Sequence, residues 1–460
     1  MSPTRRELLA GAAAGALGVL GVYELVDHLA GSPPQRPAPT VPELPEQHLL
    51  QGVQHVMQND VEVIVPPLHH EVMTAKLEVD RAGLKDAQAT LSDLLAKLDH
   101  DYVPTPAGLG VTVAWGLPYF HRLVPGAAGT HLPRDTRAGK PAVIDARTFP
   151  SDPGDTVLEA NEVAILLRSD QRPNIDDALD RLRSSGLFHL TSLRRGFAGG
   201  AFDGGHSLPR TMAIAANVPG AELIPEGAEL FLGFTSTQKA AFGPGKIANF
   251  ETLGFVDLGR GGYFREGTHL HLSHVTEDLE SWYVGFLFAE RVTTAFKPGL
   301  EVPEGTQVVA QGPEQASTTT DVRRQFRASG RIGHSASIQS TSRLTAEVVG
   351  PDGTRYPKGT AVPIRADFNT LDNPFLFSDE RGVIQEGPVA GVHFLSFNPS
   401  SDDFNRNRLA MDGVLPTGSL GIPPGDRAQG INSILSTTHR QNFLVPPRRN
   451  RSFPLAELPG

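Results

Sequence analysis

The chain has 460 residues, enough for one large domain or two of ordinary size. Its formal net charge is −10 and no basic block offsets it, which argues against nucleic acid as a principal partner. It contains no cysteine, so disulfides, thiolate metal sites, iron–sulfur clusters and a cysteine nucleophile are excluded. Hydrophobic residues make up 39%, adequate for a core, while 48 glycines and 38 prolines predict much loop.

Thr4-Arg5-Arg6 precedes an Ala/Gly-rich apolar run from Leu8 to Tyr23, the pattern of a twin-arginine export signal over residues 1–31. The run falls short of the ~20 apolar residues that span a bilayer. No clear A-x-A site follows, so a retained signal acting as membrane anchor is the other reading. Twin-arginine export carries folded proteins, which predicts a periplasmic, extracellular or cell-surface location. Residues 32–48 are Pro-rich and read as an extended linker.

A first folded unit is expected over 49–195. Val61–Val65 alternates as a strand does, and Leu84, Leu91, Leu94, Leu95 and Leu98 fall on one helical face near 84–99. Val111–Trp115 and Val163–Leu167 read as strands. Asn174 to Gly186 reads as a helix, with Asn174 as cap and Gly186 as stop. The succession strand, helix, strand, strand, helix, strand is the ferredoxin-like order, a fold of class α+β. A second unit over 196–415 is expected to open with a strand at Leu270–Ser273 and a helix near 276–290. It should close with a strand at Val392–Phe397 and a helix up to residue 411. Residues 416–460, rich in Pro, Ser, Asn and Arg, read as a tail wrapping the surface.

The stretch Arg331 to Arg365 organises the second unit. It opens RIGHSASIQSTSR, with His334 after a glycine, and ends AVPIRADF, with Arg365 closing a short apolar run. Later comes GVHFLSFNPSSDDFNRNRLAMDG, Gly391 to Gly413. This ordered set resembles the C-terminal half of a dye-decolourising (DyP-type) haem peroxidase. The resemblance covers roughly residues 45 to 415 and implies two ferredoxin-like halves with antiparallel sheets. It implies haem b as cofactor, with His334 as the iron (metal) ligand and Arg365 on the opposite, peroxide-binding side. VVGPDGTRYPK, Val348 to Lys358, looks like a hairpin inserted between the two.

The same resemblance calls for a distal acid in a G-x-x-D-G motif. The chain spells it once, Gly200-Ala201-Phe202-Asp203-Gly204, early in the sequence. In the register expected before Gly267, Ser236 stands in that slot, and a serine cannot act as a base near neutral pH unaided. Asp203 is the candidate because it alone has the chemistry; without it, GGAFDGG is a Gly-rich turn. Asp367, two residues beyond Arg365, could share the same pocket. His269 and His271 lie on one strand face and, with His274, look like a metal cluster, although a polar strand face is the plainer reading. The vicinal His69 and His70 are a weaker version of the same pattern. No G-x-S-x-G elbow and no G-x-G-x-x-G before a strand–helix pair appear, which argues against a hydrolase triad and a dinucleotide fold.

The implied function is an exported haem peroxidase that takes hydrogen peroxide and an unidentified electron donor, with room for a homo-oligomer. The alternative is a haem-binding or iron-acquisition protein on the same fold, with weak or no turnover.

Overall fold

The computed structural model describes residues 44–58, 61–199, 208–234, 246–247, 262–301, 317–349, 355–356, 358, 362–372, 374–377 and 388–459. The first half runs through β1 (His69–Leu77), α1 (Leu84–Asp101), β2 (Gly110–Gly116), β3 (Val163–Ser169), α2 (Arg172–Ser184) and β4 (Phe188–Phe197). The strands pair antiparallel in the order β4-β1-β3-β2, as a ferredoxin-like unit requires. Helix α1 buries Leu84, Ala87, Leu91, Leu95 and Leu98, a stripe at helical spacing. With α2 it covers the sheet face that carries Met73, Val113, Trp115 and Ile165. Helix α2 starts at Arg172 rather than at Asn174, because Pro173 sits in its first turn, where a missing N–H costs nothing. Asn174 instead donates to the Gly108 carbonyl, at 3.0 Å. Gly186, with φ of 72°, stops the helix in left-handed backbone.

The second half runs through β5 (Thr268–Glu277), α3 (Leu279–Gly285), α4 (Phe288–Ala295), α5 (Thr319–Ser329), α6 (His334–Gln339), β6 (Ile364–Arg365), β7 (Phe368–Thr370), β8 (Gly391–Asn398), α7 (Ser401–Met411) and β9 (Leu435–Val445). Its antiparallel order is β9-β5-β8-β7, with β6 also on β8, so it repeats the first half. The two halves join at both edges into one ten-stranded sheet closed as a barrel. The seams are thin: one residue pair, Asn369 with Phe197, joins β7 to β4. Two pairs, Phe443 with Gly116 and Leu444 with Trp115, join β9 to β2. Val72, Leu166, Leu272, Leu395, Phe397 and Phe443 fill the interior. His70, Arg194, His274 and His393 share that inward register and are almost wholly buried.

Three expectations are corrected. Val61–Val65 is a strand, but it pairs with Gln54–Gln58 and Lys246–Ile247 in a separate three-stranded sheet. The first barrel strand is β1, whose histidines, Glu71 and Thr74 disguise a segment buried on both faces. The helix expected near 276–290 is two short helices, because β5 continues to Glu277 and Asp278 then caps α3 by accepting from the Ser281 N–H at 2.9 Å. The tail expected over 416–460 is not a surface wrap. It supplies β9, and beyond it Phe453 and Leu455 are fully buried beside Trp115 and Tyr119, so the boundary at 415 falls inside the second half. The inserted hairpin is present, Val348–Val349 pairing with Arg355–Tyr356. Among the described residues, no helix is long and apolar enough to cross a membrane.

Candidate functional site

His334 is the first residue of α6, and the backbone around it leaves little choice of position. A Cβ on Gly333 would lie 2.1 Å from the Phe296 carbonyl oxygen, and that carbonyl accepts from the Ala336 N–H at 3.0 Å. On the other side Gly430, at φ 76°, brings the chain so close that an added Cβ would stand 3.3 Å from the His334 nitrogen. Glycine at 333 therefore answers to contact, and at 430 to conformation as well.

The His334 side chain is half-buried, and among the described residues its imidazole has no hydrogen bond. Burial, then the charges of Arg365 and Arg408, push its pKa down to about 4. The ring is thus neutral at pH 7, the form that binds a metal. Ligating imidazoles usually pass their other N–H to a carboxylate or carbonyl, but here no described carboxylate takes that place. Asp402 and Asp403 at the start of α7 are committed elsewhere, Asp402 to Lys140 at 2.5 Å and Asp403 to Arg137 and Arg406, both at 2.5 Å.

Arg365 is exposed, opposite Ser396 in the β6–β8 ladder, and among the described residues it has no ion pair. Its charge reaches His334, so the structure brings these two candidates into one electrostatic neighbourhood. Arg365 also lines a cavity of about 50 Å³ with Asp367 and Glu229. Asp203 and Ser236 lie outside the described residues.

His269, His271 and His274 do not form a metal centre. They lie on β5, with His274 turned to the opposite face from the other two. Both His271 nitrogens are engaged, Nδ1 with Asn442 Oδ1 at 2.8 Å and Nε2 with Ser273 Oγ at 2.6 Å, and the ring stacks on Phe404. Burial depresses all three, His269 and His274 to about 3. No group of three metal-ligating side chains occurs among the described residues. His69 and His70, adjacent on β1, point to opposite faces.

Arg408 escaped the sequence reading. It pairs with Asp412 at 2.8 Å and Asp152 at 3.2 Å and adds a second positive field at His334. Its i,i+4 spacing to Asp412 was legible, but Asp152 arrives only through the fold.

The second half closes on the first so as to give a DyP-type fold. DtpA from Streptomyces lividans, solved as an oxyferrous/water mixed complex, matches at 18% identity and TM-score 0.50, covering 88% of this chain and 96% of that one. A DyP-type peroxidase from Streptomyces coelicolor matches at 16% identity and TM-score 0.49, over 88% and 96% of the two chains. A DypB variant from Rhodococcus jostii RHA1 in complex with heme matches at 13% and 0.46, over 84% and 96%. At these identities the likeness is one of fold. The chain belongs to the family of unknown function DUF7405, whose model matches residues 67–447. No curated protein matches it.

Proposed function

We propose that this protein is a haem-dependent peroxidase, exported in folded form by the twin-arginine route. The observation that supports it most is His334: a neutral imidazole with no hydrogen bond among the described residues, fixed at a helix start, in the field of Arg365, which has no ion pair among them. These groups fit a haem, which needs one axial imidazole and an open opposite side. Bound haem would supply the redox-active iron that takes hydrogen peroxide as oxidant. His334 would hold that iron through a ring nitrogen. Arg365 would stabilise the negative charge that gathers on the departing peroxide oxygen, as preorganised cations do. Asp203 remains the motif-based candidate for the proton transfer. The electron donor is unidentified.

The two guanidinium charges beside His334, and the lack of a described carboxylate on it, favour a second reading. A ligating imidazole with no anionic partner is a poorer electron donor. A haem binder with weak turnover would show that property.

Purified protein should show a Soret band near roughly 400 nm. His334→Ala should abolish it and His269→Ala should retain it. Loss of the band in the His269 variant alone would place the ligand on β5. A Soret band that shifts with peroxide supports the enzyme, and one that does not shift supports the binder.

A further inference from the structure

We infer that the protein binds a small organic carboxylate with a compact apolar body, in a cleft on the first half. The cleft has a volume of about 450 Å³, within the range of small-molecule sites. Its lining shares no residue with the cavity beside Arg365, and the inference stands independently of the peroxidase reading. One wall is the outer face of α1, where Ser92, Ala96 and Asp99 follow at helical spacing. The other is the turn after β9, with Arg448, Arg449 and Arg451. Leu44 and Leu95 add apolar surface.

The sequence spacing of the arginines explains why they converge. Arg448–Asn450 is a 3₁₀ turn, and in such a turn residues three apart eclipse one another. Arg448 and Arg451 therefore project to the same side. Both reach Asp99, Arg448 at 3.5 Å and Arg451 in close contact. Both are anchored before any ligand arrives. The Arg448 N–H donates to the Pro45 carbonyl at 2.8 Å and its Nε to the Leu44 carbonyl at 3.0 Å. The Arg451 carbonyl accepts the Trp115 indole N–H. Their side chains are 10% and 7% exposed, so little ordering entropy is left to lose on binding. The Arg449 side chain is half-exposed and pairs with Glu266, which leaves it able to turn towards a ligand.

The lining thus sets three guanidiniums against one carboxylate. Guanidiniums crowded into a partly desolvated cleft repel one another, and a bound anion offsets that repulsion. The guanidinium fork matches a carboxylate in two parallel hydrogen bonds. The apolar lining selects an organic anion over an inorganic one, because a fully polar ion buries no apolar surface against Leu44 and Leu95.

Isothermal titration calorimetry on the full chain tests this with benzoate, its neutral isostere benzamide, and inorganic phosphate. Benzoate should bind with a dissociation constant of about 1 mM or tighter, and about tenfold or more tighter than either of the others. Arg449→Ala should weaken benzoate binding by about tenfold, the usual size of a lost hydrogen bond to a charged group. It should leave the melting temperature unchanged, since exposed ion pairs add little stability. Ala96→Phe, at an exposed position of α1, should fill the cleft and block benzoate while leaving every arginine in place. No benzoate binding up to about 10 mM, equal binding of benzamide or phosphate, or unchanged benzoate affinity in either variant overturns the inference. Haem content does not enter the readout, so each of these failures leaves the peroxidase reading intact.

Discussion

Lowering the pH from 7 to 5 is expected to unfold the protein. Among the described residues His48, His70, His269, His271, His274 and His393 are all pushed well below the ordinary imidazole value of 6.5, each chiefly by burial. The folded pKa lies below the unfolded one, so the unfolded chain takes up protons first. Stability is therefore complete above pH 6.5 and falls as the pH drops below it. Each histidine contributes about 1.4 kcal/mol per pH unit in that window. Six together give a slope on the order of 8 kcal/mol per unit, against a total stability of roughly 5–15 kcal/mol for a typical protein. Burial raises the carboxyls of Glu71, Glu277 (to about 8) and Asp403, which act in the opposite sense but are fewer. Far-ultraviolet circular dichroism and the fluorescence of the buried Trp115 and Trp282 should report a cooperative transition between about pH 6 and pH 5. Native signals persisting at pH 4 would show that the folded chain takes up these protons without penalty, and would refute the account.

Removal of residues 434–460 should abolish folding of the second half. Strand β9 pairs with β5 from Thr268–Val445 to Glu277–Leu435 and closes the barrel against β2. Phe443, Leu444 and Val445 are fully buried, and past them the chain returns to the first half. There the Trp115 indole N–H donates to the Arg451 carbonyl at 3.0 Å, and the Tyr119 hydroxyl to the Pro454 carbonyl at 2.8 Å. Truncation removes a central strand and uncovers the edge of β5, a template for aggregation. The milder Phe443→Ala should cost about 3–5 kcal/mol, the usual range for a buried phenylalanine, and lower the melting temperature accordingly. A truncated chain that stays soluble and melts cooperatively would refute this account.

The strands most plainly disclosed by the sequence are those rich in apolar residues, although Leu270–Ser273 within β5 also reads as a strand despite its buried histidines. Val111–Trp115 and Val163–Leu167 are near-continuous hydrophobic runs and appear within β2 and β3, and Val392–Phe397 appears within β8 with four apolar residues around His393 and Ser396. The first and last barrel strands were hidden by the same physics. Their inward positions hold His70 and Thr74 in β1, and His439 and Gln441 in β9, yet all are buried. Polar residues read as exposed on average, and a barrel interior that takes imidazoles and guanidiniums breaks the rule. For the candidate site, the sequence offers its residues by motif order alone. His334 and Arg365 carry the motif, and the fold sets them in one electrostatic neighbourhood. The cavity joining Arg365 to Asp367 and Glu229, and the charge of Arg408 at the imidazole, come from segments far apart in sequence. No local pattern encodes them.

The seams bear on assembly. A fully closed sheet offers no edge, but this one is fastened along one line by a single residue pair and along the other by two, with two more where Val157 and Leu158 pair with His439 and Arg440. Each half carries its own complete four-strand order and its own helices. When both lines part, β4 of one copy meets in a second copy the same β7 edge it left in its own, and β2 likewise meets β9. Two chains can then exchange halves and reclose as an intertwined pair at no loss of contacts, with protein concentration setting the balance between single and exchanged barrels.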